Sequence, residues 1–597
     1  MSLRPAATRR ATLAAALAGA VACGRSASPP APLYQDLIVE GRLVSSRGAV
    51  APGEIFCADE LRYGLKLADG EELTAEVLVT PGARLELASC VSWPKGDRQE
   101  RGGDALELEI TAAGGGAPLA HRLAAPRSTR PFRGELDLGG LAPGPARVRL
   151  RARVPSGRDL FLRDLVVRTP RAPAPRPPAT PRQVLLISVD TLRGDALGAL
   201  GGPWPTPRLD RFAAGAEVFG QHYSAASWTK PSHASLLTGQ SPPVHGAGED
   251  PETPIHPRLP LVAERFREAG FATQGLVTEC VWLRPGYGFG RGFDAYQSRP
   301  WSPQQLTRQA ANWVAAHQGD DFFLFLHLFD PHSDFWHLPY ESPGVQRRLV
   351  VERFGRDYGC RAGKCASHLL MAIQQGEIEP LPRDPEVLGF LYGGGVRHLD
   401  ETLGGLVADL ETLGILDGML VVLTSDHGEA LLEQGRVLHG TPWNQVLRVP
   451  LVVKWPGGDR AGRRHDAPTS ALDLAPTLLA AFGLPAGELP GADLRAARRE
   501  RPVFAWGGWR AVVEGKLKAV FPPGAGEPLL FDLEADPAET RSLARQRPDD
   551  LARLAALLRA REGRDEALRG RLGAASQAAA PLSEEDRARL RALGYLP

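Results

Sequence analysis

The sequence predicts an α/β fold with a mixed, mainly parallel sheet sandwiched by helices, preceded by an N-terminal antiparallel β-sandwich. From residue 184 onward, runs that are apolar throughout, such as VLLISVD at 184–190, alternate with amphipathic patterns such as QQLTRQAANWVAAHQ at 304–318. That combination is typical of a parallel sheet covered by helices on both faces. Before residue 170, apolar and polar residues alternate over short runs between glycine and proline turns, which indicates an antiparallel sandwich.

The five predicted segments follow from these patterns and from a proline-rich stretch that cannot enter a sheet interior. The sandwich is most simply a packing and spacing module, although Trp93 leaves a carbohydrate-binding role open. The segments are a signal peptide or lipobox (1–23), the β-sandwich (33–169), the linker (170–182), the catalytic domain (183–545) and a C-terminal helical tail (546–597).

Charge composition excludes one class of partner. The 597 residues carry 70 basic and 69 acidic side chains, a formal net charge of +1. A balance so close to neutral provides no general field that would recruit nucleic acid. We therefore expect no nucleic-acid partner, and any anion-binding site must be local.

The N-terminus has the layout of a secretory signal. Three arginines precede the apolar run Leu13–Val21, which is too short to span a bilayer, and small residues follow it. The letters AGAVAC resemble a bacterial lipobox, which would make Cys23 the lipidated first residue of the mature chain. A plain cleaved signal with an incidental cysteine is the alternative. Either way we expect an exported protein of the periplasm or cell envelope, with a lipid anchor at Cys23 in the first case.

The other five cysteines could form disulfides in an exported protein. We expect Cys57 to pair with Cys90 and Cys360 with Cys365, which leaves Cys280 free. Spacing alone does not fix this connectivity, so other pairings stay open.

Three candidate metal ligands lie at the ends of predicted strands. Asp190 ends the run VLLISVD, and Asp426 and His427 follow the run MLVVLTS at 419–425. Taken singly, each is typical of a helix cap or a structural turn. The carboxyl ends of parallel strands meet at one edge, however, so the three could hold one divalent metal with an open position. An imidazole among the ligands favours zinc or manganese over calcium.

A candidate nucleophile, Thr229, lies in the stretch SWTKPSHASLLTG at 227–239. Pro231 suits the first turn of a helix, and the start of a helix offers free N–H groups to an anion. A threonine hydroxyl becomes a useful nucleophile beside a metal that lowers its pKa. The alternative is that Thr229 or Ser232 merely caps the helix.

Two loop histidines suit proton transfer or contact with a sulfate or phosphate group. His332 lies in HLFDPHSDF and His439 in VLHGTPW. A histidine in a loop is otherwise usually a solvated surface group.

These motifs occur together in one known family, because the chain from about residue 184 to 543 resembles the sulfatase family of the alkaline phosphatase superfamily. The matching segments include LLISVDTLRGDALGALGG, SWTKPSHASLLTG, LTSDHGEALLEQGRVLHGTPW and RVPLVVKWPG. The resemblance implies Asp190, Asp426 and His427 as metal ligands, Thr229 as nucleophile and further ligand, and His332 and His439 as contacts to the transition state or leaving group.

The chain departs from the family pattern at several positions. Sulfatases with a formylglycine have Cys or Ser at the nucleophile and Arg four residues later, where this chain has Thr229 and His233. Threonine cannot be converted to formylglycine. Thr191 replaces a second Asp ligand, His427 stands where many members have Asn, and a GKWHLG-like lysine is missing. These features resemble the phosphoethanolamine transferases of the superfamily, although the sequence lacks their membrane-helix domain.

The resemblance therefore implies an enzyme, a metal-dependent hydrolase of sulfate or phosphate esters with a covalent threonine intermediate. Its substrate would be a sulfated or phosphorylated glycan or lipid. The first alternative is a phosphoethanolamine-type transferase or phosphodiesterase. The second is a non-catalytic, glycan-binding surface lipoprotein.

Overall fold

The computed structural model describes residues 33–573 with short gaps, the longest of which are 93–103 and 170–181. The predicted signal peptide with Cys23, nearly all of the predicted linker and Trp93 lie outside the described residues. The same holds for residues 574–597, the end of the predicted helical tail.

The N-terminal part forms two antiparallel sheets. Their order is β3-β4-β11-β6-β9, with β1 beside β11, and β2-β5-β10-β7-β8. Side-chain burial alternates along β10, as expected for a strand with one face on the core: Ala146, Val148 and Leu150 are buried, and the arginines between them are exposed. The strands are β1 Tyr34–Asp36, β2 Val44–Ser45, β3 Gly53–Cys57, β4 Glu60–Leu67, β5 Glu72–Val79, β6 Arg84–Ser92, β7 Ala105–Ala112, β8 Leu119–Ala124, β9 Phe132–Asp137, β10 Gly144–Arg153 and β11 Asp159–Arg168.

A second set of strands builds the large sheet, two short hairpins and a small C-terminal sheet. These strands are β12 Gln183–Val189, β13 Glu217–Tyr223, β14 Ala272–Thr278, β15 Ala295–Arg299, β16 Phe322–Leu328, β17 Cys360–Arg361, β18 Lys364–Cys365, β19 Leu420–Ser425, β20 Ala430–Leu431, β21 Val437–Leu438, β22 Arg448–Lys454, β23 Arg464–His465, β24 Thr469–Ser470, β25 Val503–Trp506, β26 Arg510–Glu514, β27 Leu517–Phe521 and β28 Leu529–Asp532.

The large sheet has the order β15-β14-β16-β12-β19-β22-β13-β23, with β24 beside β13. The first five strands run parallel, and β22 is antiparallel to both of its neighbours. All seven residues of β12 are buried: Leu185 and Ile187 face one hydrophobic cluster, and Val184 and Leu186 face another. The prediction of a mixed, mainly parallel sheet covered on both faces is therefore confirmed.

Helices cover both faces of the large sheet. Most of the predicted amphipathic run at 304–318 lies in one of these helices, and the start of the predicted C-terminal helical tail lies in the last one. The helices are α1 Pro207–Ala214, α2 Thr229–Thr238, α3 Pro242–His245, α4 Val262–Glu268, α5 Pro303–Ala316, α6 Arg347–Phe354, α7 Ala366–Gln374, α8 Asp384–Thr412, α9 Asn444–Leu447, α10 Leu474–Ala481 and α11 Pro548–Leu572. Among the described residues, no helix combines the length and the hydropathy needed to cross a membrane.

The cysteines agree with the predicted pairing wherever the structure describes them. Cys360 and Cys365 form a disulfide across the hairpin β17–β18, and Cys280 is free and buried. Cys90 is also disulfide-bonded. The side chain of Cys57, its predicted partner, lies outside the described residues.

A buried ionic group joins the antiparallel sheets to the helices of the large sheet. Arg308, on α5, contacts Asp36 at 2.7 Å and Asp164 at 2.8 Å. Asp36 is fully buried, so its charge depends on this guanidinium. Tyr34 adds a hydrogen bond of 2.9 Å from its hydroxyl to Asp409, on α8.

We expect Arg308→Ala to lower the free energy of unfolding by about 3 to 5 kcal/mol, because it leaves the fully buried Asp36 without its cation and Asp164 with only Arg163, at 3.8 Å. Arg147→Ala is the matched control, since Arg147 is 68% exposed and pairs with an exposed glutamate. The control should change stability by at most about 0.5 kcal/mol. Urea unfolding followed by tryptophan fluorescence measures both, and equal effects would contradict the assignment.

Candidate active site

The candidate site lies at the carboxyl ends of three neighbouring parallel strands. In β12, Ser188 pairs with Thr424 of β19 on one side and with His327 of β16 on the other. Asp190 and Asp426 follow immediately after β12 and β19, so the sheet register brings the two carboxylates to the same level. This is the edge at which ligands bind in open α/β sheets.

Asp190, Asp426 and His427 form a compact buried group. One possible ligand atom from each lies within 4.8 Å of the others. His427 Nε2 is 3.3 Å from Asp426 Oδ2 and 3.6 Å from Asp190 Oδ1. All three side chains are excluded from solvent. The structure thus brings Asp190 against Asp426, 236 positions later in the sequence, and against the adjacent His427.

The donor atoms of this group fit a divalent metal. Neither oxygen of Asp190 and only one oxygen of Asp426 has a hydrogen-bond partner of normal geometry among the described residues. Burial raises the pKa of Asp190 to about 7 and also raises the pKa of Asp426. Buried, unpaired carboxylates are costly unless a cation neutralises them. Two carboxylates and one imidazole suit zinc or manganese better than calcium.

Thr229 lies beside this group. Its Oγ1 is 3.4 Å from His427 Nε2, and its side chain is buried. Thr229 is the first residue of α2, whose N-cap is Trp228, and no side chain caps the helix. The alternative that Thr229 serves as the helix cap therefore does not describe this structure.

The turn after β12 is held in a strained conformation. Thr191 has a φ of 54°, which is rare for a β-branched residue. The hydroxyl of Tyr392, on α8, donates a hydrogen bond of 2.8 Å to the carbonyl of Thr191. This contact holds the turn that directs Asp190 toward the site.

His332 and His439 lie beside His427. The ring centroids of His439 and His427 are 4.5 Å apart, and those of His332 and His439 are 5.4 Å apart. Burial lowers the pKa of His332 to about 3 and that of His439 to about 4. The structure therefore gathers all six residues predicted for the site, although it does not test their roles.

Two residues missed by the sequence reasoning complete this part of the site. Glu429 is buried and accepts from His439 Nδ1 at 2.9 Å and from the Tyr340 hydroxyl at 2.7 Å. Glu429 belongs to the DHGE motif, so the motif could have revealed it. Nothing in the sequence singles out Tyr340. Glu429, His427 and His439 also form a second group able to hold a metal, but it shares His427 with the first.

Two further histidines were also missed as functional candidates. His233 and His327 lie beneath the carboxylates, with ring centroids 5.0 Å apart. Both are fully buried, and burial lowers the pKa of each to about 4, so both rings are neutral at pH 7. His233 was noted only as a departure from an arginine, and His327 resembles an ordinary strand residue in the sequence.

Known proteins show the same architecture. The family model described as Sulfatase matches residues 182–484, about half of the chain. The chain belongs to the sulfatase family. The arylsulfatase of Clostridium perfringens is 24% identical to this sulfatase-family protein over 479 residues, which cover 64% of this chain and 95% of the relative. Human arylsulfatase A is 28% identical over 437 residues, which cover 61% of this chain and 84% of the relative.

Solved structures support the fold of this sulfatase-family protein. A phosphonate monoester hydrolase from Silicibacter pomeroyi superposes with a TM-score of 0.53 at 23% identity, covering 64% of this chain and 96% of that one. The phosphonate monoester hydrolase of Agrobacterium radiobacter superposes with a TM-score of 0.51 at 22% identity, covering 68% of this chain and 99% of that one. The prediction of an enzyme from the superfamily of sulfate and phosphate ester hydrolases is confirmed at the family level.

We expect the sulfatase-family protein to bind Zn²⁺ more weakly as the pH falls below about 7, because protons compete for Asp190. The loss should be about tenfold per pH unit for each proton displaced. Calorimetric titration at pH 6 and pH 8, in buffers of different ionisation enthalpy, counts those protons. Asp190→Asn should bind weakly and with a flatter pH dependence. Equal wild-type affinity at both pH values would contradict the assignment.

Proposed function

We propose that this protein is a metal-dependent hydrolase of sulfate or phosphate esters that forms a covalent intermediate on Thr229. The observation that carries the proposal is the position of the Thr229 hydroxyl, 3.4 Å from His427 in a buried group in which three of the four carboxylate oxygens have no hydrogen-bond partner among the described residues. Family membership supports the reaction class. The absence of Cys or Ser at residue 229 supports threonine, rather than formylglycine, as the attacking residue.

Asp190, Asp426, His427 and Thr229 would hold one divalent metal, with zinc or manganese preferred. When bound, this metal would lower the pKa of the Thr229 hydroxyl and offset negative charge on the ester. The first turn of α2 contributes as well, because its free N–H groups favour an anion near Thr229.

Thr229 Oγ releases its proton to solvent and attacks the sulfur or phosphorus atom of the ester. The new bond to Oγ forms as the bond to the leaving oxygen breaks, and that oxygen takes a proton from His439 or His332. Water then cleaves the threonine ester, which releases sulfate or phosphate and restores the hydroxyl. Both histidines are neutral before substrate binds, so the one that donates must first take up a proton from solvent on its free ring nitrogen. An anionic ester beside it favours this uptake by raising its pKa, and the proton released by Thr229 balances it.

Glu429 would orient His439 for this proton transfer. A carboxylate that accepts from Nδ1 fixes the imidazole tautomer and leaves Nε2 free for the substrate, as in other carboxylate–histidine pairs. The hydroxyl of Tyr340 holds the opposite oxygen of Glu429, so the carboxylate has a single orientation. Together, Tyr340, Glu429 and His439 make a buried chain of hydrogen bonds that ends at the leaving group.

The threonine also favours a second candidate, a phosphoethanolamine-type transferase or a phosphodiesterase. In that case an acceptor alcohol replaces water in the second step. Two of the structural relatives act on phosphonate monoesters by their names, which supports phosphorus as the attacked atom. The two candidates differ in substrate and acceptor rather than in the role of Thr229.

The substrate would be a sulfated or phosphorylated glycan or lipid at the cell envelope. A relative solved with D-glucosamine-2-N,6-O-disulfate supports the glycan. The Cys360–Cys365 disulfide supports an oxidising compartment, and the proposed lipid anchor at Cys23 would keep the enzyme there.

We expect Thr229→Ala to abolish turnover, by at least about 10³-fold, because no other group can form the intermediate. Purified protein supplied with Zn²⁺ or Mn²⁺ is assayed with an aryl sulfate, an aryl phosphate and an aryl phosphate diester. Mass spectrometry of the quenched wild-type reaction should find sulfuryl or phosphoryl on the peptide containing Thr229.

Thr229→Ser is the matched control and should retain part of the activity. Turnover of diesters alone would favour the second candidate. Unchanged turnover in Thr229→Ala would contradict the nucleophile assignment. A metal-loaded wild-type protein without any turnover or modification would indicate the non-catalytic, glycan-binding alternative.

We expect Glu429→Gln to lower kcat about 10²- to 10⁴-fold for esters with a poor leaving group, because His439 loses the partner that orients it. Nitrophenyl esters leave without protonation, so their rates should change far less. Tyr340→Phe is the milder control. Equal losses for both kinds of ester would show that Glu429 does not act through proton transfer.

A further inference from the structure

We propose that His233 and His327 form a pair of positioning residues that hold the two metal-binding carboxylates, each imidazole serving one of them. The inference rests on the metal site of the proposed function. It concerns residues outside the ligand set, and it predicts how tightly the protein retains its metal.

His233 links three parts of the site. Its Nδ1 lies 2.9 Å from the carbonyl oxygen of Thr229 and 3.4 Å from Asp426 Oδ2. A carbonyl oxygen only accepts, so Nδ1 carries the hydrogen and donates it to the Thr229 carbonyl, and Asp426 Oδ2 is the next oxygen near the same N–H. In the neutral ring, Nε2 then accepts from the Ser188 hydroxyl at 3.0 Å.

These contacts fix the helix that carries the nucleophile onto the sheet that carries the ligands. Ser188 is two residues before Asp190 on β12, and His233 is four residues after Thr229 on α2. One imidazole thus couples the backbone of Thr229 to the carboxylate of Asp426 and to the strand that ends in Asp190. A one-residue shift of α2 would break all three contacts.

His327 lies beside the other carboxylate, that of Asp190. It is fully buried, and neither of its ring nitrogens has a hydrogen-bond partner among the described residues. Its Nε2 is 3.7 Å from Asp190 Oδ2, which is also without a partner. Two buried, unpaired polar groups that face each other are costly, and a hydrogen bond between them would satisfy both.

The arrangement has a simple consequence for the metal. A carboxylate whose outer oxygen accepts an N–H has its remaining electron pairs directed toward the cation, and less entropy is lost when the metal binds. Loss of such an outer hydrogen bond typically weakens metal binding about 10- to 100-fold. The two imidazoles are neutral, so they orient the carboxylates without replacing the cation's charge.

The test uses amide side chains that present an N–H at one ring position only. Glutamine places its N–H near the Nε2 position of histidine, and asparagine places it near Nδ1. His327→Gln and His233→Asn therefore keep the proposed donor, whereas His327→Asn and His233→Gln lose it. All four variants have similar polarity, so the comparison separates the donor from packing.

Zinc affinity of the full-length protein is measured by competition with a chromophoric chelator, and folding is checked by thermal melting in excess chelator. We expect the two donor-keeping variants to bind zinc nearly as tightly as wild type and the two donor-lacking variants to bind about 10- to 100-fold more weakly. His222→Gln is the matched control, because His222 is buried in the same sheet and contacts Thr469 instead. It should bind zinc as wild type does.

Wild type and Asp426→Asn separate this inference from the proposed function. If wild type does not bind zinc, or if Asp426→Asn binds it equally well, the metal site itself is wrong. If wild type depends on Asp426 but both amides at a position give equal affinity, whether high or low, the positioning role is overturned. If the variants at one histidine do not show a folded baseline in chelator, the amide comparison at the other histidine decides: equal affinity of its two amides overturns the positioning role, and a difference of about 10- to 100-fold supports it.

Discussion

The site depends on two carboxylates buried at the end of adjacent parallel strands. Asp190 and Asp426 follow β12 and β19, and the sheet register leaves them no freedom to separate. Charged carboxylates are unfavourable in a dry interior, and burial raises the pKa of both Asp190 and Asp426. A cation bound between them would convert that cost into binding free energy. The strained turn at Thr191, the helix start at Thr229 and the neighbouring histidines are all arranged around this constraint.

The small C-terminal sheet contributes to the site without any ligand of its own. The backbone N–H of Trp506 donates to Ala225 at 2.9 Å, and the indole of Trp509 donates to the carbonyl of Gly440, also at 2.9 Å. Gly440 in turn donates to Ser227 at 2.9 Å. The segments leading to Thr229 and containing His439 are therefore tied to each other and to one sheet, which fixes the spacing between the two residues.

The chemistry of the site is set by neutral imidazoles. His332 and His439 lie beside His427, while His233 and His327 lie next to the carboxylates. Burial lowers the pKa of each, so in the free protein each ring is neutral and offers one N–H and one lone pair. A formylglycine sulfatase would have an arginine in place of His233. Neutral donors leave more of the charge balance to the metal and to the substrate.

The sequence by itself determined the fold class, the strands that carry the ligands and the residues of the metal group. Apolar runs and motif letters are local, and strand-end residues such as Asp190 converge in any parallel sheet. Only the tertiary structure decided which groups surround them. His327 reads as an ordinary strand residue, and Tyr340 lies in a segment without a motif. Their roles arise because packing brings them against Asp190 and Glu429, 137 and 89 residues away, and no local pattern encodes such contacts.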